Sequence, residues 1–513
     1  MTWPRAAASD DPRLCRPQQT RLDIHGYVRA VSLDVRGVVP TVEEHRAVDG
    51  LDDLPDAMLD EWLRSQEFRE RVVRRHRDLL WPNIEAVDQI FHFRRSFGQF
   101  GTGEDRIWAL TNQQSRALFR GGNVTCRDEP ATFDAEGRPI TVEEADGSRR
   151  EGWVRVTPFW APGTSVRVCA FDAQAARLSP SGIDCATRAG INDAACGCGP
   201  GLAWCPPAAA RTQILRSFNR EVERRVAAHL EADEPYTALF TSPRAYVNGP
   251  LVHYWRHLTG IFSGVSMQPL AIDVERLPDV PFDQADRWEE IRLPDTHAGV
   301  LTSPVFLLRF QTNRARAARF HEAFLCEPFQ PPPGGIPHED EVAALNPDVQ
   351  QRPGCNYCHA ILEPTAAHWG RWTQQGAGFL EPTRFPTYRD ECRECALGTT
   401  ACSDLCRFNY VTRAISPEEE PFLGMLSSLQ FLRREHQENV TAGPRQLVTR
   451  GIADGRLTAC TARNAARWLL GRDPREGEEA WQAELTDTLI DSGLRYRELV
   501  RAIVRSETYR RAL

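Results

Sequence analysis

The chain has 513 residues, of which 41% are apolar and 26% are charged, and it contains 13 tryptophans. This length and composition predict several domains with hydrophobic cores and exclude a disordered chain. The formal net charge is −8 and the basic residues are scattered, so no basic surface for nucleic acid or anionic membranes is expected. All 62 residues counted as Lys+Arg are arginines, which excludes lysine Schiff-base chemistry and the lysine-dependent phosphate loop.

The chain begins with a predicted tail over residues 1–21, followed by a predicted helical module over 22–120. The tail has no apolar core of a signal peptide, and no apolar run in the chain is long enough for a transmembrane helix. Within the helical module, Thr41 and Glu44 have the spacing of a capping box. Apolar residues at helical spacing across Met58–Trp81 predict one long amphipathic helix, or two.

Residues 121–210 have a different pattern and predict a cysteine-rich insertion of strands and loops. Alternation of apolar and polar residues over 152–160 and 165–169 is typical of β-strands. Four cysteines then fall within 21 residues that hold few large apolar side chains. Such a segment needs covalent cross-links, so disulfides are expected at Cys185, Cys196, Cys198 and Cys205.

The rest of the chain divides into three predicted parts. Residues 211–295 form a helical module that ends in a linker or surface loop over 273–295. Residues 296–440 are a predicted segment that contains the motif Cys355–His359 and a second cysteine cluster, and 300–327 is expected to be helical. Residues 441–513 form a C-terminal helical module with helices over 460–470, 478–492 and 496–505. The predicted fold class is mainly α and multi-domain, with a small β-containing, disulfide-rich insertion.

One short motif indicates a specific chemistry. Cys355, Cys358 and His359 have the spacing at which c-type haem is attached, and chance alone would give such a string with an expectation of about 0.01. Two thiols at this spacing can add to the two vinyl groups of one porphyrin, while the adjacent imidazole ligates the iron. The sequence therefore predicts one covalent haem c with His359 as the proximal ligand.

The second axial ligand of the iron is less well defined by the sequence. Met425 is the only methionine after the motif, and a downstream methionine is the usual distal ligand in small cytochromes. His297, Met267 or an open position are alternatives, whereas His368 follows His359 too closely. The predicted apolar wall of the haem consists of Tyr357, Trp369, Trp372, Phe379 and Phe385.

Other cysteine chemistries compete with haem attachment. A four-thiolate zinc site would combine the haem cysteines with Cys392 and Cys395, but 33 residues separate the two pairs, more than is usual for zinc ribbons. A redox-active dithiol is a further alternative. The second cluster is expected to form disulfides, with a metal or iron–sulfur site as the alternative; it comprises Cys392, Cys395, Cys402 and Cys406.

The number of cysteines predicts one that does not pair within the chain. Thirteen cysteines remain when the two haem cysteines are set aside, so at least one must be free or intermolecular. Cys326, in an apolar predicted helix, and Cys460 are the candidates for a buried thiol.

With these motifs in view, the chain resembles the large cytochrome-like proteins of the planctomycete cytochrome c domain families. The resemblance implies a secreted or periplasmic c-type haem protein, with the two thiols and the histidine at 355, 358 and 359. Members commonly have Ile-Asp-Pro-x-Gly after the haem histidine, whereas Ile361-Leu-Glu-Pro364 continues without that glycine. The matching pieces lie at residues 29–37, 40–44, 65–71, 246–248, 297–304, 325–328, 469–472 and 503–510.

The sequence thus predicts a periplasmic or extracellular haem protein that transfers electrons to or from a redox partner protein. Because no signal peptide is visible, this location predicts an export signal upstream of the reading frame. One alternative is a haem-dependent oxidoreductase with a substrate pocket between modules. Another is a cell-envelope binding or structural protein without haem, stabilised by disulfides or zinc.

Overall fold

The structure, a computed structural model, describes most of the chain. The described residues are 21–84, 90, 97–103, 106–262, 267, 269–270, 272–330, 335, 348–414, 417–427 and 434–512. Residues 1–20 of the predicted tail, including Cys15, lie outside them.

Helices dominate the described residues, which confirms the predicted mainly α, multi-domain architecture. The α-helices are α1 (Ile24–Val35), α2 (Val42–Ala47), α3 (Asp56–Arg64), α4 (Gln66–Leu80), α5 (Gln113–Arg120), α6 (Ala208–Glu231), α7 (Ala238–Thr241), α8 (Gly249–His253), α9 (Thr259–Phe262), α10 (Pro304–Arg309), α11 (Asn313–Phe320), α12 (Asn356–Ala366), α13 (Asp390–Ala396), α14 (Asp404–Asn409), α15 (Arg434–Ala453), α16 (Arg456–Leu470), α17 (Glu479–Asp491), α18 (Tyr496–Arg505) and α19 (Glu507–Ala512). The β-strands are β1 (Phe97–Phe100), β2 (Ile107–Leu110), β3 (Val142–Glu143), β4 (Arg149–Arg150), β5 (Trp153–Val156), β6 (Val166–Cys169), β7 (Arg244–Val247) and β8 (Glu289–Arg292).

The described chain divides into two compact units. The first comprises residues up to His76, Ala227–Tyr236 and the chain from Asp454, and the second comprises Arg77–Val226 and Thr237–Ala453. The six-part division expected from the sequence stays a prediction.

The first unit is a helical unit built from the two ends of the chain. Helices α16, α17 and α18 pack against one another, and the Tyr27 hydroxyl of α1 donates to the Val504 carbonyl at 2.8 Å. The predicted capping box is confirmed, because Thr41 and Glu44 exchange hydrogen bonds at the start of α2. The long amphipathic segment forms two helices, α3 and α4, since Ser65 between them is extended. The three predicted C-terminal helices are confirmed as α16, α17 and α18.

A small sheet forms part of the second unit, with strand order β1-β2-β6-β5. Strands β5 and β6 fall within the two predicted strand segments and pair antiparallel, and β2 runs parallel to β6. The expectation of helix up to residue 120 is wrong over 97–100 and 107–110, which form β1 and β2. Each strand has only four residues, too few to show the alternation of apolar and polar residues that predicts a strand. Both are stabilised by pairing: β1 bonds to β2, and β2 bonds to β6, which lies about 60 residues further along the chain.

Two further sequence-based expectations differ from the structure. The segment over 273–295, predicted as a linker, contains β8, which pairs antiparallel with β7. The predicted helix over 300–327 is divided into α10, α11 and a π-helix at His321–Leu325. The predicted helix is interrupted because the hydroxyls of Ser303 and Thr312 each accept a hydrogen bond from a backbone N–H. Each residue is thereby the N-cap of a new helix, Ser303 of α10 and Thr312 of α11.

Covalent cross-links and a buried ion cluster hold the cysteine-rich insertion together. The disulfides are Cys126–Cys169, Cys185–Cys196 and Cys198–Cys205. The last of these is completely buried in the hydrophobic cluster that contains Phe97 and Val168.

Arg120 lies at the centre of the buried ion cluster. It donates to Glu151 and to Asp172, each at 2.9 Å, and all three side chains are buried. Burial raises the pKa of Glu151, and the charge of Arg120 opposes this shift. The guanidinium therefore compensates two carboxylates that no water can reach.

No helix within the described ranges is long and apolar enough to cross a membrane.

Replacement of Arg120 by alanine should destabilise the second unit by about 3–5 kcal/mol, because it leaves two buried carboxylates unpaired. Urea denaturation followed by tryptophan fluorescence measures the change. Arg138→Ala is the control, since Arg138 pairs with Asp134 on the surface and should contribute about 0–1 kcal/mol. Equal destabilisation by the two variants would contradict the importance of the buried cluster.

Candidate haem-attachment site

The attachment motif forms the start of helix α12. Asp348 accepts the backbone N–H of Gln350, and the N–H groups of Cys355 and Asn356 both donate to the Arg352 carbonyl. Gly354 has a φ of 79°, a conformation that a side chain would strain. This turn directs the chain into the helix with Cys355 at its N-cap and Cys358 one turn later.

The two motif cysteines are free thiols. Both are partly exposed, and the Cys358 thiol donates to the Gln330 carbonyl at a sulfur–oxygen distance of 3.6 Å. The second cysteine cluster instead forms the disulfides Cys392–Cys406 and Cys395–Cys402. All eight cysteines predicted to form disulfides are therefore paired.

These disulfides decide between the rival cysteine chemistries. A disulfide sulfur is not a thiolate, so Cys392 and Cys395 cannot complete a four-thiolate zinc site with the motif cysteines. The same reason excludes an iron–sulfur or metal site in the second cluster. The expectation that Cys326 or Cys460 is a free thiol is wrong, because both are disulfide-bonded.

Two other groups of potential metal donors also contain disulfides. Cys126, Glu151 and Cys169 lie close together, as do Glu391, Cys392 and Cys406. In each group both sulfurs belong to one disulfide, which leaves a single carboxylate as a donor. Neither group has the ligands of a metal site.

His359 is held by a carboxylate one helical turn away. Its Nδ1 lies 2.6 Å from Oε1 of Glu363, and the same oxygen accepts the Nε–H of Arg314 at 2.6 Å. Glu363 is buried, whereas 23% of the His359 side chain is exposed. Within the part of the chain that the structure describes, Nε2 of His359 makes no hydrogen bond. This nitrogen is the atom left for a metal ligand bond.

Helix α12 is fixed to its neighbours beyond this contact. His321 of the π-helix lies 3.0 Å, through Nε2, from the hydroxyl of Thr365, and Asn439 donates to the Pro364 carbonyl. Such π-helical turns are frequent at functional sites. The residues that orient His359 and α12 are thus Arg314, His321 and Glu363, and sequence analysis did not identify them. The spacing of His359 and Glu363 by four residues was visible in the sequence, whereas Arg314 gave no signal.

One face of α12 presents apolar side chains to solvent. Tyr357 and Ile361, four residues apart, are 59% and 53% exposed, and Cys358 lies between them in the sequence. Residues at this spacing share a helix face. At about 100° of helix rotation per residue, this apolar face lies nearly opposite His359, so it is not the side of α12 to which His359 belongs.

The remaining predicted wall residues occupy other positions. Trp369, Trp372 and Phe385 are buried in the protein, and the Trp369 indole donates to the Leu301 carbonyl at 3.0 Å. Phe379 is partly exposed and packs on Trp372. The buried rings already contact protein, so they serve as core residues. Their aromatic character alone could not reveal this.

The structure places the predicted distal ligands in different surroundings. Met425 belongs to the segment that pairs with Tyr388 and Val411, next to the second cysteine cluster. His297 is buried edge-on against Trp372, and Met267 is buried. The distal role of Met425 stays a prediction.

His368 cannot approach the iron from the opposite side. Nine residues correspond to 2.5 helical turns, so His359 and His368 project from nearly opposite faces. His368 is instead buried, and its Nδ1 donates to the Gly443 carbonyl at 2.9 Å. Burial and the nearby positive charge of Arg450 lower its pKa to about 4. It is a neutral core histidine.

A cavity of about 740 Å³ lies elsewhere in the second unit. Its lining includes Asp273 with Arg276 and Arg292 with Asp295, and both of these pairs are exposed ion pairs. The cavity does not include the attachment motif, and its remaining charged group, Glu290, accepts a hydrogen bond from the Tyr246 hydroxyl. It offers no separate reactive centre.

Comparison of the chain with protein-family models, with curated proteins and with solved structures gives no match. The resemblance to cytochrome-like families thus stays a prediction based on the sequence motifs.

The low pKa of His368 predicts a loss of stability in acid. The folded histidine stays neutral while the unfolded one binds a proton below about pH 6.5, so stability is complete above that pH. The contribution of His368 to the free energy of unfolding should fall by about 3 kcal/mol as the pH decreases to about 4, and it should then stay constant.

His368→Asn tests this prediction, because asparagine keeps a donor near the Nδ1 position but does not titrate. Urea midpoints of the variant should depend less on pH between about 6.5 and 4 than those of the wild type. An identical pH dependence would show that His368 does not cause the acid loss.

Proposed function

We propose that this protein is an exported c-type haem protein that transfers electrons. One haem would be held by thioether bonds to Cys355 and Cys358, with His359 as the proximal ligand. The observation that carries the proposal is the state of the cysteines: the described thiols left unpaired are those of the attachment motif, beside a histidine with an available Nε2. Bound haem would supply one-electron chemistry between Fe(III) and Fe(II).

The other residues of the site support this assignment. The many disulfides are typical of an oxidising compartment, in which haem attachment also takes place. There, two neighbouring thiols that remain unpaired need a separate explanation, and attachment of a porphyrin provides one.

A dithiol redox site is the second candidate. Cys355 and Cys358 are both free and lie at the start of an 11-residue helix, in the Cys-x-x-Cys spacing of dithiol redox sites. This alternative leaves the arrangement of His359 and Glu363 without a role. It predicts reversible oxidation of the two thiols and no bound chromophore.

Expression with a haem-attachment system should give a protein that carries one covalent haem. The double variant Cys355→Ser/Cys358→Ser should lose essentially all covalent haem, because no thiol remains to form a thioether bond. Intact-protein mass and the visible spectrum of the denatured, reduced protein measure attachment.

The control is Cys185→Ser/Cys196→Ser, which removes a disulfide elsewhere in the same unit and should keep the haem. A wild-type protein that matures without added haem mass would refute the haem proposal. Reversible loss of thiol labelling at Cys355 and Cys358 in that protein would support the dithiol alternative.

The distal position can be tested by Met425→Ala. If Met425 ligates the iron, the variant should show an altered spectrum and a lower reduction potential, because a methionine ligand raises the potential. Spectroelectrochemistry of the haem-loaded wild type and variant measures both. Unchanged spectrum and potential would eliminate Met425.

The same preparation distinguishes a carrier from an enzyme. An open distal position should bind added cyanide or carbon monoxide rapidly, as expected for a haem-dependent oxidoreductase. A carrier with two protein ligands should bind them slowly or not at all. The readout is the rate of the spectral change after mixing.

A further inference from the structure

The carboxylate of Glu363 is shared between an arginine and the proposed proximal histidine. Oε1 lies 2.6 Å from Nδ1 of His359 and 2.6 Å from Nε of Arg314. The Glu363 side chain is 6% exposed, whereas that of Arg314 is 46% exposed. A buried carboxylate without hydrogen-bond donors is strongly unfavourable, so both contacts are needed to keep it in place.

The neighbouring helix fixes the position of the arginine. Arg316, two residues further along α11, is fully buried and donates to the carbonyls of Leu307, Thr373 and Gly376. These bonds join α11 to the turn that follows α12. Because α11 cannot shift easily, Arg314 holds Glu363 at a defined distance from His359.

We infer that Glu363, held by Arg314, is a positioning residue for His359 that presents its Nε2 to an iron and lowers the reduction potential of that iron. The orientation of the imidazole follows from contacts within the chain. The effect on the iron rests on the proposed haem function.

The chemistry follows from the two ring nitrogens. When the neutral imidazole donates its Nδ1–H to the carboxylate, Nε2 has no hydrogen and its lone pair is available to a metal. A carboxylate on the far nitrogen also makes the ligand more basic. Greater basicity favours Fe(III) over Fe(II), so accepting one electron becomes less favourable. The electron enters the iron, and the proton stays between Nδ1 and Glu363.

The first experiment uses the chain without haem and reads the imidazole tautomer by ¹⁵N NMR of labelled histidine under conditions in which the ring is neutral. In the wild type, the Nδ1–H form should exceed the Nε2–H form about tenfold, as expected for a hydrogen bond to a charged group. Glu363→Ala should reverse the preference. An unchanged tautomer ratio in that variant would overturn the inference.

The second experiment uses the haem-loaded protein. Glu363→Gln keeps a hydrogen-bond acceptor but removes the charge, and it should increase the equilibrium constant for reduction about tenfold, or about 59 mV for one electron. Glu322→Gln is the matched control, because Glu322 pairs with Arg319 at 2.8 Å and does not contact His359. It should leave the potential unchanged.

The two experiments separate the inference from the haem proposal. If no haem attaches, the proposed function fails, and the tautomer still decides whether Glu363 positions His359. If haem attaches and Glu363→Gln shifts the potential no more than Glu322→Gln does, the inferred effect on the iron is refuted. Far-ultraviolet circular dichroism shows whether each variant is folded. If Glu363→Gln does not fold, Glu363→Asp takes its place, since its shorter carboxylate should lose the contact and raise the potential.

Discussion

The buried carboxylate of Glu363 determines how the helix of the attachment motif can be arranged. Its charge must be compensated inside the protein: the guanidinium of Arg314 does this, and the imidazole of His359 adds a hydrogen bond. The imidazole is therefore fixed through Nδ1, and Nε2 remains available. The thiols of Cys355 and Cys358 precede it in the same helix. Orientation of the candidate ligand thus follows from the requirement to satisfy one buried charge.

The distribution of the cysteines complements this arrangement. Disulfides join ten cysteines in five identified pairs, and Cys326 and Cys460 are also bonded. They cross-link segments with little hydrophobic core of their own, such as the insertion and the chain after α12. The thiols of Cys355 and Cys358 remain free. Because Cys392, Cys395, Cys402 and Cys406 are paired, they cannot join these two thiols in a four-thiolate metal site.

Several parts of the fold could be predicted because their signals are local. The capping box at Thr41 and Glu44, the amphipathic helical pattern within Met58–Trp81 and the three C-terminal helices depend on residues close in sequence. Strands β1, β2 and β8 could not be predicted, because each is stabilised by pairing with a separate segment. Aromatic residues such as Trp369 looked like haem contacts, but packing placed them in the core.

By itself, the sequence determined the attachment motif, the mainly helical class and the eight cysteines expected to form disulfides. The spacing of covalent and capping groups along the chain carries these properties. Only the tertiary structure decided which cysteines pair with which, that the motif thiols stay free, and that Arg314 meets Glu363. These outcomes depend on distances between residues far apart in sequence. The contact between Arg314 and Glu363, for example, forms because α11 packs against α12.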